Sequence, residues 1–139
     1  MKNSNILFLL LLFFHSCSAP EQTPYEKIEA FYYRFKNENF EHFSRIIVIN
    51  EDGTCLNCNN LFAKNQAGNL SKDSILFIVS GYGTKVDISA YIDKNSPNLI
   101  LDSKNDFQHL KLQNGCAIIE LENKKIKSIT NISAKNVRN

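Results

Sequence analysis

One stretch of the chain, residues 45–58, restricts the fold more than any other. Its first part, Ile-Ile-Val-Ile at 46–49, is a β-branched apolar run that is typical of a strand buried on both faces. Residues 50–53 then supply turn formers, and Cys55-Leu-Asn-Cys58 opens a segment with plausible helical spacing. The sequence therefore predicts a buried strand, a turn, and a helix that begins at two cysteines.

This arrangement gives the two cysteines a chemical role. Cys55 is expected at the helix N-terminus, where unpaired backbone N–H groups and the helix dipole stabilise a thiolate. Cys58 lies one turn further on the same helix face, close enough to form a disulfide. A permanent disulfide across so short a loop removes little entropy from the unfolded chain, which favours a redox role. The nearby acidic residues Glu51 and Asp52 oppose the thiolate.

The start of the chain is typical of a targeting segment. A short polar, positively charged beginning precedes an unbroken apolar run at 6–14, which is shorter than the about 20 residues that span a bilayer. Phe14-His-Ser-Cys17 resembles the lipobox of bacterial lipoproteins. We therefore expect a lipoprotein signal peptide at 1–16, lipidation of Cys17 (palmitate among the acyl chains), and a tether at 17–24. The alternative is an ordinary secretory signal.

The lipoprotein interpretation implies a location. The protein would be anchored by lipid to a membrane of the bacterial cell envelope, facing the periplasm or the cell surface.

Its formal net charge of +2 is too small, and too evenly spread, to indicate nucleic-acid binding. No cofactor is expected, and no Gly-x-Ser-x-Gly motif suggests a hydrolase.

The remaining residues, 25–139, are expected to form one domain in which helices and strands alternate. Strands are predicted at 46–49, 75–80 and 98–102 and in a terminal hairpin at 116–121 and 125–129. Helices or turns are predicted at 28–35, 55–67, 85–92 and 107–112, and residues 130–139 are expected to be frayed or to form a weak terminal segment. The aromatic residues at 31–35 are expected to pack against the sheet, with a ligand-binding aromatic face as the alternative. His42 is expected to lie at the surface or to be satisfied by a hydrogen bond. The predicted fold class is α/β, with a central mixed sheet and a C-terminal β-hairpin.

This order of elements, with Cys-x-x-Cys after the first buried strand, resembles the thioredoxin-like fold over residues 44–129. The resemblance is to the branch of membrane-anchored thiol–disulfide oxidoreductases and peroxiredoxin-like proteins. It implies a three-layer sandwich, with Cys55 as the attacking thiol and Cys58 as the resolving thiol. The partners that it implies are protein thiols and disulfides of the envelope.

Three positions depart from that family. Thr54 stands where an aromatic residue is usual, and Asn123-Lys124 form the hairpin turn where glycine is common. The family also has a cis-proline before the hairpin, a slot that Gly115 or Cys116 occupies here. Cys116 is thereby expected near the pair, either as a small buried hydrophobic residue, as a third redox thiol or as a metal ligand.

Two other classes of function remain open. Cys55, Cys58 and Cys116 with His42 or His109 would make a Cys₃His zinc site, or hold copper through soft thiolates. A structural zinc site usually has a second closely spaced ligand pair, which this chain lacks. Our first expectation is therefore that these residues bind no metal. The other class is a non-catalytic thioredoxin-like lipoprotein that acts as a binding module.

Overall fold

The computed structural model describes residues 20–52, 55–82 and 96–137. Its regular elements are α1 (Pro24–Tyr32), β1 (Arg45–Asn50), α2 (Leu56–Gln66), β2 (Ile75–Ser80), β3 (Leu99–Asp102), β4 (Ala117–Glu122) and β5 (Lys125–Asn131). Short 3-10 helices occupy Phe40–His42, Ala67–Asn69 and Gln108–Leu110.

The five strands form one mixed sheet in the order β3-β2-β1-β4-β5. Strands β1, β2 and β3 are parallel, whereas β4 pairs antiparallel with β1 and β5 antiparallel with β4. A parallel neighbour requires a crossover connection, which α2 provides between β1 and β2. The predicted α/β class, with a mixed sheet and a terminal hairpin, is confirmed.

Hydrophobic side chains cover both faces of the sheet. On one face α1 packs against alternate strand residues, among them Ile46, Val48, Ile78 and Ile119. On the other face α2 packs, through Phe62 and Ala63, against the intervening residues Ile47, Ile49, Phe77 and Val79. β1 is therefore buried on both sides, as its β-branched run predicts, and the three layers are consistent with a thioredoxin-like sandwich.

Helix α1 begins at a complete capping box and ends earlier than its apolar pattern predicts. Thr23 accepts the backbone N–H of Glu26 and the Glu26 carboxylate accepts the N–H of Thr23, with a proline at the first helical position. The helix stops at Tyr32, although apolar spacing continued to Phe35. Tyr32 is buried, while Phe35 is 41% exposed, so the aromatic run is only partly in the core.

The terminal hairpin is confirmed, and its turn explains its sequence. Asn123 and Lys124 both have positive φ, 52° and 58°. Two consecutive left-handed residues match the right-handed twist of the strands that they join, and asparagine tolerates this conformation well. The register of β4 and β5 shifts between Glu120 and Leu121, at an irregularity of the bulge type.

The prediction that residues 130–139 are frayed or form a weak terminal segment is wrong for residues 130–132 and for Val137. β5 continues to Asn131, and the N–H of Ile132 donates to the carbonyl of Cys116 at 2.8 Å. Val137 is 6% exposed within the apolar cluster of α2, and its carbonyl accepts a hydrogen bond from Asn65. The segment thus packs on the helix that carries the cysteines.

Several expectations fall outside the described residues. These are the signal peptide at 1–16, the lipidated Cys17, the start of the tether at 17–19 and the short helix at 85–92. Within the part of the chain that the structure does describe, no helix has the length and apolar content needed to span a bilayer.

Candidate functional site

The candidate site lies at the edge of the sheet where the three parallel strands end. β1 ends at Asn50, β2 at Ser80 and β3 at Asp102, and α2 starts only a few residues after β1. Cys116, which directly precedes β4, reaches the same edge because β4 runs antiparallel to β1. The carboxyl edge of a parallel sheet is where α/β proteins commonly place their functional groups.

Cys55 and Cys58 form a disulfide at the N-terminus of α2, with Cα atoms 5.2 Å apart. Cys55 is the N-cap residue, and its Sγ atom accepts the backbone N–H of Cys58 at 3.2 Å. Cys55 is exposed, whereas Cys58 is half-buried against the apolar cluster beneath α2. Cys55 is therefore the more accessible residue of the pair, and Cys58 is the more shielded one.

The electrostatics of this helix end favour a negatively charged sulfur. Helix N-termini carry unpaired N–H groups and a positive end of the dipole, and the first turn of α2 contains no acidic residue. Of the nearby acids, Asp52 accepts the backbone N–H of Tyr82 at 2.7 Å, so its carboxylate is directed toward the end of β2. The local geometry is thus suited to a thiolate at Cys55 after reduction.

Cys116 is a buried free thiol, 3% exposed, in the same apolar cluster against which Cys58 packs. Its Sγ accepts the N–H of Asn50 at 3.2 Å and donates to Oδ1 of Asn59 at 3.1 Å. Burial raises the pKa of the Cys116 thiol to about 11, against the smaller opposing effect of the Asn50 N–H. At neutral pH this group is therefore a protonated thiol.

The backbone before β4 also departs from the pattern of the thioredoxin-like proteins that the sequence resembles. No cis peptide bond occurs among the described residues, and Gly115 has φ +84°, a conformation that favours glycine. Cys116 occupies the position next to the strand. The role of Cys116 in redox chemistry stays a prediction, but its surroundings are now defined.

The Cys₃His alternative gains no support from the geometry. In the three described ranges, no group of three or more His, Cys, Asp or Glu side chains is placed to hold a metal ion. His42 is exposed and stacks on Phe43 at a ring distance of 3.8 Å. His109 instead lies 3.3 Å from the hydroxyl of Tyr82. The expectation that His42 lies at the surface is confirmed.

A buried polar network supports the same edge of the sheet. The carboxylate of Asp102, which is 1% exposed, accepts the backbone N–H groups of Asp106 and Phe107 at 3.1 Å and 2.8 Å. The hydroxyl of Ser80 donates to the same carboxylate at 2.7 Å and lies 2.9 Å from the side chain of Asn105. Three donors of the protein itself bond to the Asp102 carboxylate, so this network has a structural role.

Two site residues were not found by sequence reasoning. Asn50 and Asn59 are 8% and 5% exposed, and both contact Cys116. Asparagine is abundant throughout the chain, so neither residue stands out in the sequence. Only their burial next to a thiol identifies them.

Leu56 and Tyr82 are large apolar side chains exposed near this edge, at 48% and 59%. Leu56 follows Cys55 in the chain, and Tyr82 is held near the end of β1 by its hydrogen bond to Asp52.

Comparison of the chain with known proteins finds no matching family model, no similar curated protein and no similar solved structure.

Proposed function

We propose that this protein is a thioredoxin-like thiol–disulfide oxidoreductase that acts through Cys55 and Cys58. The observation that carries the proposal is the asymmetry of the pair. An exposed cysteine at a helix N-terminus is bonded to a half-buried cysteine one turn further on. The first position suits a nucleophile and the second suits a group that reacts only within the protein. The strand order around the pair supports the assignment to the thioredoxin-like fold.

In the reducing direction the chemistry has two steps. The Cys55 thiolate attacks one sulfur of a substrate disulfide, which forms a mixed disulfide and releases the other substrate sulfur as a thiolate that takes a proton. Cys58 then loses its proton and attacks Sγ of Cys55, which releases the second substrate sulfur as a thiol. The protein ends as the Cys55–Cys58 disulfide, and a dithiol donor must reduce it again. The reverse sequence would oxidise a substrate dithiol.

Trapping the mixed disulfide tests this mechanism. Reduced Cys58→Ser protein, incubated with a peptide that contains one disulfide, is expected to accumulate a covalent adduct at Cys55, seen by mass spectrometry. Cys55→Ser protein should form no adduct, and the variant Cys116→Ala should still exchange with the peptide through Cys55 and Cys58. Adducts that form equally in all variants, or in none, would reject the mechanism and favour a non-catalytic binding module that keeps the disulfide as a staple.

We further propose that Cys17 is lipidated and tethers the domain to a membrane of the bacterial envelope. The support is the Phe14-His-Ser-Cys17 pattern that follows the apolar run. A labelled palmitate analogue should be incorporated into the wild-type protein and not into Cys17→Ser. Label that persists in Cys17→Ser would contradict the lipoprotein assignment.

A further inference from the structure

Three buried residues beside the dithiol form a closed ring of hydrogen bonds, here called the Asn59 ring. The N–H of Asn50 donates to Sγ of Cys116 at 3.2 Å, and the S–H of Cys116 donates to Oδ1 of Asn59 at 3.1 Å. Nδ2 of Asn59 then donates to the carbonyl oxygen of Asn50, which closes the ring. Each of the three residues is at most 8% exposed.

The ring fixes its own chemistry. The Asn50 carbonyl can only accept, so the amide of Asn59 must direct its NH₂ group there and its oxygen toward Cys116. That oxygen requires a donor, and the thiol supplies one because burial keeps the pKa of Cys116 far above neutral. The carbonyl oxygen of Asn50 is 4.0 Å from Sγ, so Asn59 is the nearer acceptor. A thiolate or a disulfide at Cys116 would leave Asn59 without this hydrogen bond.

The ring joins the three elements that meet at the site. Asn59 follows Cys58 within α2, Asn50 ends β1, and Cys116 precedes β4. The β1–β4 ladder stops at Val48 and Ala117, so the thiol occupies the backbone N–H of Asn50 beyond the last ladder pair. The first turn of α2 is thereby bonded to the sheet through Asn59, the residue that follows Cys58.

We propose that Asn59, held by Cys116, is a positioning residue that sets the reduction potential of the Cys55–Cys58 pair; this inference rests on the proposed function. In the oxidised protein the disulfide itself holds the first turn of α2. In the disulfide form the Cys58 N–H donates to the Cys55 sulfur. In the reduced protein the disulfide constraint is gone, and we expect the ring to keep this N–H aimed at the sulfur. Loss of the ring should therefore destabilise the reduced form more than the oxidised form. Cys116 acts here as a hydrogen-bond donor and carries no electrons.

The test compares Asn59→Ala with Asn57→Ala, an exposed asparagine in the same helical turn. The purified variants are equilibrated in glutathione and then dithiothreitol buffers, and the dithiol and disulfide forms are counted after alkylation. We expect Asn59→Ala to shift the equilibrium at least fivefold toward the disulfide, which is about 20 mV for a two-electron couple. Asn57→Ala should stay within twofold of wild type. The pKa of Cys55 should rise in Asn59→Ala and stay at the wild-type value in Asn57→Ala.

Variants of Cys116 keep the test decisive if Asn59→Ala does not fold. Cys116→Ala should shift the equilibrium in the same direction by a smaller factor, and Cys116→Ser should partly restore it because a hydroxyl also donates and accepts. Both should retain thiol exchange. Equal potentials in wild type, Asn59→Ala and Cys116→Ala would overturn the inference, as would an equal shift in Asn57→Ala.

The outcomes separate this inference from the proposed function. A merely structural role for Asn59 would lower the free energy of unfolding equally in both redox forms and leave the potential unchanged. A wild-type pair that stays oxidised below about −300 mV would reject the oxidoreductase. The shift between variants is still read in dithiothreitol in that case, so the role of the Asn59 ring would be decided independently.

Discussion

The Cys58 backbone N–H donates to Sγ of Cys55 across 3.2 Å, which places the first sulfur of the pair at the capping position of α2. A capping side chain normally satisfies one of the free N–H groups at a helix start, a role that serine or aspartate fills most often. Here a sulfur fills it, and the same N–H that caps the helix is available to a thiolate. The capping interaction and the proposed reactivity of Cys55 therefore depend on one hydrogen bond.

The reduced protein should be alkylated in a fixed order. At neutral pH we expect Cys55 to react first because it is exposed and its thiolate is stabilised by the helix end, and Cys58 to react more slowly. Cys116 should stay unmodified until the protein unfolds, since it is 3% exposed and its pKa is raised to about 11. Time-resolved labelling with iodoacetamide and peptide mass mapping gives the order. Early modification of Cys116 would contradict its placement.

Burial of Cys116 should make stability fall at alkaline pH. The folded-state pKa is about 11 and the reference value is 9.0, so the folded protein binds the proton more tightly. The contribution of the Cys116 thiol to the free energy of unfolding is fully present below pH 9. It decreases by roughly 2 kcal/mol as the pH rises toward 11. Chemical denaturation from pH 7 to 11 measures it as the difference between proteins with cysteine and with alanine at position 116.

That comparison needs one precaution in both proteins. Cys55 and Cys58 are both replaced by serine, so that no disulfide exchange occurs at high pH. The phenols of Tyr25 and Tyr32 also have raised pKa values, chiefly through burial, but both variants share them. A difference that stays constant from pH 8 to 11 would show that Cys116 titrates normally.

Gly81 should tolerate no side chain. A Cβ atom at this position would lie 2.6 Å from Cβ of Glu51, where the ends of β1 and β2 meet. We expect Gly81→Ala to lower the free energy of unfolding by about 1–3 kcal/mol. Gly68→Ala is the matched control, because a Cβ there meets nothing within 4 Å, and its effect should be neutral or slightly stabilising. Urea denaturation of both variants measures the two free energies of unfolding. Equal effects would contradict the close approach of Gly81 to Glu51.

The carboxylate of Asp102 should be important for stability. Asp102→Asn keeps the shape of the side chain but replaces one acceptor oxygen by a donor that faces N–H and O–H groups. We expect a loss of about 2 kcal/mol in the free energy of unfolding. Asp73→Asn, on an exposed position, should change it by less than about 0.5 kcal/mol. Thermal and urea denaturation would both show the contrast, and a neutral Asp102→Asn would refute the network.

Local patterns in the sequence were sufficient for the strands and the dithiol helix. The β-branched run predicted β1, the apolar run at 75–80 matched β2 residue for residue, and the two cysteines were correctly placed at the start of α2. These features follow from neighbouring residues, whose propensity and burial agree. The hairpin was predictable for the same reason.

The failures concern contacts between distant residues. Val137 lies in a mostly polar segment, and no pattern near it in sequence indicates that it packs beside α2. The Asn59 ring joins residues 50, 59 and 116, and each is unremarkable in its own segment. Such contacts depend on the register of the finished sheet, so no local pattern records them.

The reduction potential of the Cys55–Cys58 pair is the most direct test of the proposed function. The purified protein would be equilibrated in graded glutathione and dithiothreitol buffers, and its thiols counted by alkylation and mass spectrometry. An oxidoreductase should show a reversible two-electron couple between roughly −120 and −270 mV, the range of known thiol–disulfide enzymes. A pair that stays oxidised below about −300 mV would mark a structural disulfide and contradict the proposed function.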